Sequence, residues 1–299
     1  MIDKLEMFIA LAKQKHFGHA AEECRVTQPT LSAAIKQLED FLGVKLVRRG
    51  SRFQGLTPEG MRVLDWARRI VSDARAMQEE MHAARHGLTG DVRIAVIPTA
   101  LTMVKDLTAP FCERHPDIRF TILARSSIEI LSLVVDLKVD VGITYLDNEP
   151  LGKMTSVPLY SEHYHFVTME GGPFAERKSV TWKEASSVPL CLLTQDMQNR
   201  RIIDKHLEDA GVTAAPTLES DSIIALFSHI RSGRWSGIMP SKLVEAFAPL
   251  PSLRSLPIDA PDVAHTVGII ANFREPYTPV IAALLQQAKA ISAFDPAHR

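Results

Sequence analysis

The stretch "VTQPTLSAAIKQLEDFLG", residues 26–43, decides how the rest of the chain is read. Thr27 or Gln28 suits the N-cap of a helix, and Pro29 suits its first position, where a missing N–H has no partner to lose. Leu31, Ile35, Leu38 and Leu42 recur at steps of four, three and four, which turns one apolar stripe toward a core. Gln28, Thr30, Ser32 and Ala33 collect at the N-terminal end on the other side, and Gly43 stops the helix. A short helix packed by its back, with hydrogen-bonding groups at its start, has the form of a DNA recognition helix.

The flanking residues support that form. Leu5, Phe8, Ile9 and Ala12 predict a first helix, and residues 19–24 a second with Ala20, Ala21 and Cys24 inward, so a helix-turn-helix precedes residue 43. Residues 44–47 and 53–56 read as two short strands around Arg48-Arg49-Gly50-Ser51-Arg52. Such a hairpin is a wing whose Arg48, Arg49 and Arg52 meet phosphates or a minor groove; its competing reading is an ordinary solvated turn. Thr57-Pro58-Glu59-Gly60 then opens a long helix with a cap, an early proline and an acid at the positive end. Val63, Ala67, Ile70, Ala74, Met77, Met81, Ala84 and Leu88 step by four and three alternately along it. That is a heptad seam, which pairs with a second copy or packs on its own domain.

The 299 residues are 46% hydrophobic and 23% charged, with a net charge of −1. The neutral total hides a local bias. Residues 25–52 carry six basic side chains against two acidic ones, the pattern of a nucleic-acid-binding module joined to a domain that binds something else. Cys24, Cys112 and Cys191 lie far apart and offer neither a disulfide framework nor a zinc site. Residues 1–14 are amphipathic and contain acids, unlike a signal peptide, and no apolar run approaches the ~20 residues of a membrane span. A cytoplasmic protein is expected.

"FIALAKQKHFGHAAEECRVTQPTLSAAIKQLEDFLGVKLVRRG", residues 8–50, followed by "LTPEG", residues 56–60, resembles the N-terminal module of the LysR-type transcriptional regulators. The chain departs from that family in having Ala33-Ala34 after the serine of the recognition helix and Val47 where phenylalanine is usual. The resemblance implies DNA contacts from Gln28, Pro29, Thr30, Ser32 and Lys36. Thr27 and Ala33, at the same end of the helix, and Arg48, Arg49 and Arg52, in the wing, are expected to join them.

Beyond residue 90 the sequence alternates strands and helices. Strands are expected at residues 91–97, 118–123 and 139–143, with helices between, as in an α/β sheet of parallel type. A second series covers residues 163–169, 190–193, 197–210, 216–219, 221–231 and 237–239, and a strand at 267–271 precedes a closing helix at 277–291. This layout resembles the family's two-lobed sensor domain, similar to periplasmic binding proteins, with crossovers near residues 160–164 and 264–267. The expected architecture is therefore an α/β chain with an N-terminal winged helix-turn-helix (1–57), a long dimerisation helix (58–90) and an effector-binding domain (91–299). In the last, lobe I would comprise 91–162 and 267–299, and lobe II 163–266.

Ligands of open α/β sheets sit at the carboxyl ends of strands, where helix N-termini present free N–H groups. The loops there hold Thr99, Ala100, Leu101 and Thr102, then Ser126 and Ser127, then Tyr145, then Thr194 and Gln195. Hydroxyls, an amide and helix N-termini favour a small anion, a carboxylate. His163 and His165 lie two apart without a third ligand in view, and no catalytic or nucleotide-binding motif occurs. The expectation is a regulator, not an enzyme, with no metal or cofactor, binding double-stranded DNA as a dimer or tetramer and switched by a small effector. An enzyme with a regulatory N-terminal segment and a solute-binding protein are the alternatives; the missing catalytic constellation and the wing argue against them respectively.

Overall fold

The computed structural model describes residues 1–49, 53–147, 149–213, 215–248, 252–259 and 264–292; the side chains of residues 49, 79, 82 and 84–86 also lie outside that description. Arg52, the Arg49 guanidinium and the Ala84 side chain, all named above, are thus outside the described residues. The chain divides into two compact units, Met1–Gly87 and Leu88–Arg299.

The first unit contains α1 (Ile2–Gln14), α2 (Phe17–Glu23), α3 (Gln28–Leu42), β1 (Val47–Arg49), β2 (Phe53–Leu56) and α4 (Pro58–His86). Phe8, Leu11, Leu31, Ile35 and Leu38 are buried at its centre, each worth roughly 1.5–3 kcal/mol. On α1 the buried line is Leu5, Phe8 and Leu11, with Ile9 and Ala12 flanking it. Thr27 caps α3 by accepting from the Thr30 N–H at 3.3 Å, so Gln28 is the first helical residue and Pro29 the second. Leu42, predicted on the core stripe, is 39% exposed, and Leu46 and Val47 cover that end of the core instead.

The strand of the wing begins at Val47 and not at Val44, for a local reason. Glu39, buried on α3, accepts the backbone N–H groups of Leu46 at 2.9 Å and Val47 at 3.3 Å, which holds the segment after Gly43 against the helix before pairing starts. Thr57 closes the same corner. Its hydroxyl donates to the Lys45 carbonyl at 2.6 Å, accepts from the Gly60 N–H at 2.8 Å, and its own N–H donates to Leu46.

The second unit begins with β3 (Gly90–Val96), a 3₁₀ turn (Pro98–Met103), α5 (Val104–Arg114), β4 (Ile118–Ala124), α6 (Ser127–Val135), β5 (Val141–Tyr145) and β6 (Met154–Glu162). It continues through β7 (Tyr164–Met169), β8 (Val180–Thr181), α7 (Trp182–Ala185), β9 (Cys191–Leu193), α8 (Gln198–Asp209), β10 (Leu218–Ser220) and α9 (Ile223–Ile230). Last come β11 (Gly237–Pro240), α10 (Ser241–Ala246), β12 (Leu253–Asp259), β13 (His265–Asn272) and α11 (Pro279–Ser292).

Among the described residues, one sheet has the order β4-β3-β5-β13-β6, with β3 parallel to β4 and β5 and with β13 antiparallel to its neighbours. A second has the order β11-β7-β12-β8, and β9 and β10 form a parallel pair beside it, bridged from Leu190 to Ser236. The chain crosses between the sheets at His163, between β6 and β7, and again between β12 and β13. The return strand starts at His265, two residues before the expected 267. β8, β12, α7 and α10 were not anticipated from the sequence, and of β6 only its end was, as the crossover near residues 160–164.

Candidate nucleic-acid interface and effector cleft

The solvent face of α3 carries Gln28, Pro29, Thr30, Ala33 and Lys36, all exposed, with Ser32 half-buried at its edge. Thr27 is also exposed, but its hydroxyl serves the helix start and lies 2.8 Å from that of Thr30. Gln37, one turn beyond Ala33, shares this face and was missed; its signal is the i, i+4 spacing. Arg48, on β1, is exposed. A helix start bearing amides and hydroxyls beside cationic side chains offers donors and acceptors to base edges and charge to phosphates.

On α4 the predicted seam separates into two faces. Val63, together with Leu64, and the fully buried Ala67 with Val71 turn onto the core of their own unit. Ile70, Met77 and Met81 are 43%, 60% and 59% exposed, with Trp66 beside them at 62%, while Ala74 is half-buried. Leu88 lies past the helix end and packs on the core of the second unit. The reason is that α1 packs along α4, reinforced by the Arg75–Glu6 ion pair at 2.7 Å. The first turns of α4 are therefore occupied within the unit.

In the second unit the strand ends gather the expected hydroxyls. Thr99 and Thr144 are 2% and 1% exposed, and the hydroxyl oxygens of Thr99, Thr102, Thr144 and Thr194 are buried without a hydrogen-bond partner. Thr144 lies on the face of β5 that α6 covers. A Cβ on Gly142 would collide with Ile130 of α6, and Thr144, two residues along β5, shares that face. Ser126 is used as the cap of α6 in a reciprocal box with Glu129. Ser127 is the first helical residue, 1% exposed, and its hydroxyl donates to Glu149 Oε1 at 2.9 Å.

That oxygen also receives Arg201 Nη2, from α8 of the other lobe, at 2.6 Å, and Arg201 Nη2 reaches Ser127 Oγ at 3.3 Å. Arg200 turns away and is buried against Asp204 and the Leu193 carbonyl. Sequence reasoning missed Arg201 and Glu149. Leu101 and Gln195 are exposed, Ala100 is fully buried and lines an apolar cavity of about 300 Å³ with Met103, Leu107, Leu159, Tyr160 and Lys242, and Arg125 points to solvent.

Tyr145 is not free for a ligand as expected. Its hydroxyl donates to Glu162 in a short hydrogen bond, and it accepts Asn199 Nδ2 of α8 at 3.3 Å; Tyr164 donates to the same carboxyl at 3.4 Å. Burial pushes the Glu162 carboxyl up to about 8. Nearby, His206 and His265 approach through their Nε2 atoms at 3.0 Å, and burial holds both rings below the usual imidazole range. This polar cluster ties β5, β6, β7, β13 and α8 together at the crossover. Among the described residues no group of three or more His, Cys, Asp or Glu is arranged to hold a metal, and no helix is long and apolar enough to cross a membrane.

Comparison with known proteins agrees with this geometry. Residues 2–61 match the model of the bacterial regulatory helix-turn-helix proteins of the lysR family, and residues 85–292 match the LysR substrate binding domain. The DNA-binding transcriptional dual regulator OxyR of Escherichia coli (strain K12) is 27% identical over 298 residues, covering 99% of this chain and 96% of the relative. A full-length OxyR variant from Pseudomonas aeruginosa has a similar fold, with a TM-score of 0.76 at 24% identity over 97% of this chain and 94% of that one. Full-length CbnR in complex with its target DNA follows at a TM-score of 0.64 and 20% identity, over 97% and 99%. With a winged helix-turn-helix module and a two-sheet binding domain both matched, this chain belongs to the LysR family of DNA-binding transcription regulators.

Proposed function

We propose that this regulator binds its operator as a dimer or a dimer of dimers and is switched by a small carboxylate held between the two lobes of its second unit. The α3 face of Gln28, Pro29, Thr30, Ala33 and Lys36 would enter a major groove, with Ser32 at its margin and the wing arginines on the backbone. The observation that carries the effector reading is the pairing of Ser127 on one lobe with Arg201 on the other, beside buried threonine hydroxyls that lack partners. Those groups can bind an anion and its polar substituents only when the lobes are close, so ligand would favour one lobe arrangement by differential affinity.

Other relatives are described as hydrogen peroxide-inducible genes activators, which raises a second chemistry, thiol oxidation, and neither Cys191 nor Cys24 favours it. Cys191 is fully buried with its thiol pushed up to about 12, and burial raises the Cys24 thiol as well. A reactive cysteine needs the opposite, an accessible thiolate.

Footprinting and titration of the full-length protein on duplexes from its own promoter region test the reading. Lys36→Ala should weaken binding on every sequence and flatten its salt dependence by about one phosphate contact. Thr99→Val and Ser127→Ala should leave DNA affinity intact and abolish the response to whichever carboxylate a thermal-shift screen identifies. A normal response in both variants would move the effector out of the cleft.

A further inference from the structure

The position best suited to an effector's carboxylate is occupied by a carboxylate of the protein itself. We propose that Glu149 is a tethered surrogate for the effector: its side chain fills the anion subsite made by Ser127 and Arg201, and the effector binds by displacing it. This deepens the proposed function and rests on its assignment of an anionic ligand to the cleft.

Glu149 sits in the connection between β5 and β6, just past the strand end that carries Thr144. One of its oxygens accepts from both lobes at once, from Ser127 Oγ at 2.9 Å and Arg201 Nη2 at 2.6 Å. The Glu149 side chain is 17% exposed and that of Arg201 34%, so the carboxylate is the better shielded partner of the pair. A second carboxylate could not share that guanidinium edge and hydroxyl without like-charge repulsion, so Glu149 and a ligand carboxylate are mutually exclusive there.

Arg201 does not depend on Glu149 for its position. Its Nε donates to Gln198 Oε1 at 3.0 Å, and its Nη1 donates to the Asp196 carbonyl at 2.8 Å. Both partners belong to α8 or the turn leading into it, so the guanidinium stays aimed when the anion is exchanged. That is preorganisation for a ligand.

Glu149 is also an incomplete occupant. With it in place the hydroxyls of Thr99, Thr144 and Thr194 still have no partner. Thr144 lies two residues along β5 from Gly142, on the face that α6 covers, and Thr194 precedes α8 on the opposite lobe. A ligand that satisfies them needs hydrogen-bonding oxygens beyond its carboxylate. The site therefore fits a small hydroxy or oxo acid better than a simple aliphatic one.

Isothermal titration of full-length wild type, Glu149→Gln and Glu149→Ala with glycolate as the probe, and with acetate beside it, tests the assignment. Both variants should bind glycolate at least ten-fold more tightly than wild type, and adding Arg201→Gln to either should cancel the gain. Acetate should gain too, and remain weaker than glycolate. Equal affinity in wild type and both variants, weaker binding in both, or no detectable binding in any would overturn the surrogate. The same titration on Thr99→Val and Ser127→Ala separates the two levels. Binding unchanged in those variants means the cleft assignment has failed. Binding lost in them, with no effect of the Glu149 substitutions, means the cleft stands and the surrogate does not.

Discussion

At position 162 a carboxyl group is fully buried between two tyrosine hydroxyls, on the last residue of the strand that leaves the first sheet for the second. Removing a charge from water at this depth costs more than the two hydrogen bonds return, so the neutral acid is favoured up to about pH 8. The folded protein thus keeps a proton that the unfolded chain loses above its ordinary value of 4.5. Stability from this group is present in full below about pH 4.5 and is lost as pH rises through 8. Glu162→Gln has no proton to lose. Its unfolding free energy should match wild type near pH 5 and exceed it by up to a few kcal/mol at pH 9, read from denaturant melts across that range. His206 and His265, held neutral by burial, act in the opposite sense at lower pH, and they cancel in the difference between variant and parent. A difference that stays flat with pH would show that Glu162 titrates as an ordinary carboxylate.

Elements that carry their own punctuation could be read directly from the sequence, and those stabilised from a distance could not. α3 has a cap, an early proline, a stripe and a terminal glycine in the left-handed region at φ 69°, and both its ends are local. β6 and β12 contain Pro158 and Pro257, which argue against strands. β6 tolerates its proline at the sheet edge, opposite the irregularity between Val267 and Gly268, and β12 begins pairing with β8 only after its own, at Ile258. The site divides in the same way. Its hydroxyls announce themselves at strand ends and helix starts, whereas Glu149 and Arg201 meet across 52 residues of sequence and Ser127 and Arg201 across 74. The run Leu56-Thr57-Pro58-Glu59-Gly60 shows what a legible motif is for. Besides capping α4, it requires glycine at its end, because a Cβ at position 60 would lie 2.1 Å from the Leu46 carbonyl oxygen. That carbonyl belongs to the corner held by Glu39, so it cannot retreat without disturbing the start of the wing. Gly60→Ala should destabilise the first unit by about 1–3 kcal/mol through overpacking and weaken DNA binding with it. An unchanged melting temperature would mean that α4 can slide away from the wing at little cost.

At the scale of the whole molecule, one long helix leaves apolar side chains that its own chain does not cover. α4 spans 29 residues, about 43 Å, and Ile70, Met77 and Met81 lie exposed along its later turns after Val63 and Ala67 have turned inward. Their steps of seven and four keep them on one face, so a second copy of the helix could cover them together. Burying such side chains is worth roughly 1.5–3 kcal/mol each, and a symmetric pairing counts each residue twice. Two recognition helices linked in this way would also meet half-sites at a fixed spacing, about one turn of DNA or a multiple of it apart. Ile70→Glu combined with Met77→Glu places like charges along the proposed seam without touching the residues that face the unit's own core. Sedimentation should then show the dimer dissociation constant raised by about 100-fold or more, equivalent to some 3 kcal/mol, with helical content unchanged. DNA binding should fall to that of a single module on a half-site. A double variant that remains dimeric at the same concentrations, and protects the same length of operator, would transfer self-association to another surface and leave the exposed methionines of α4 without a role.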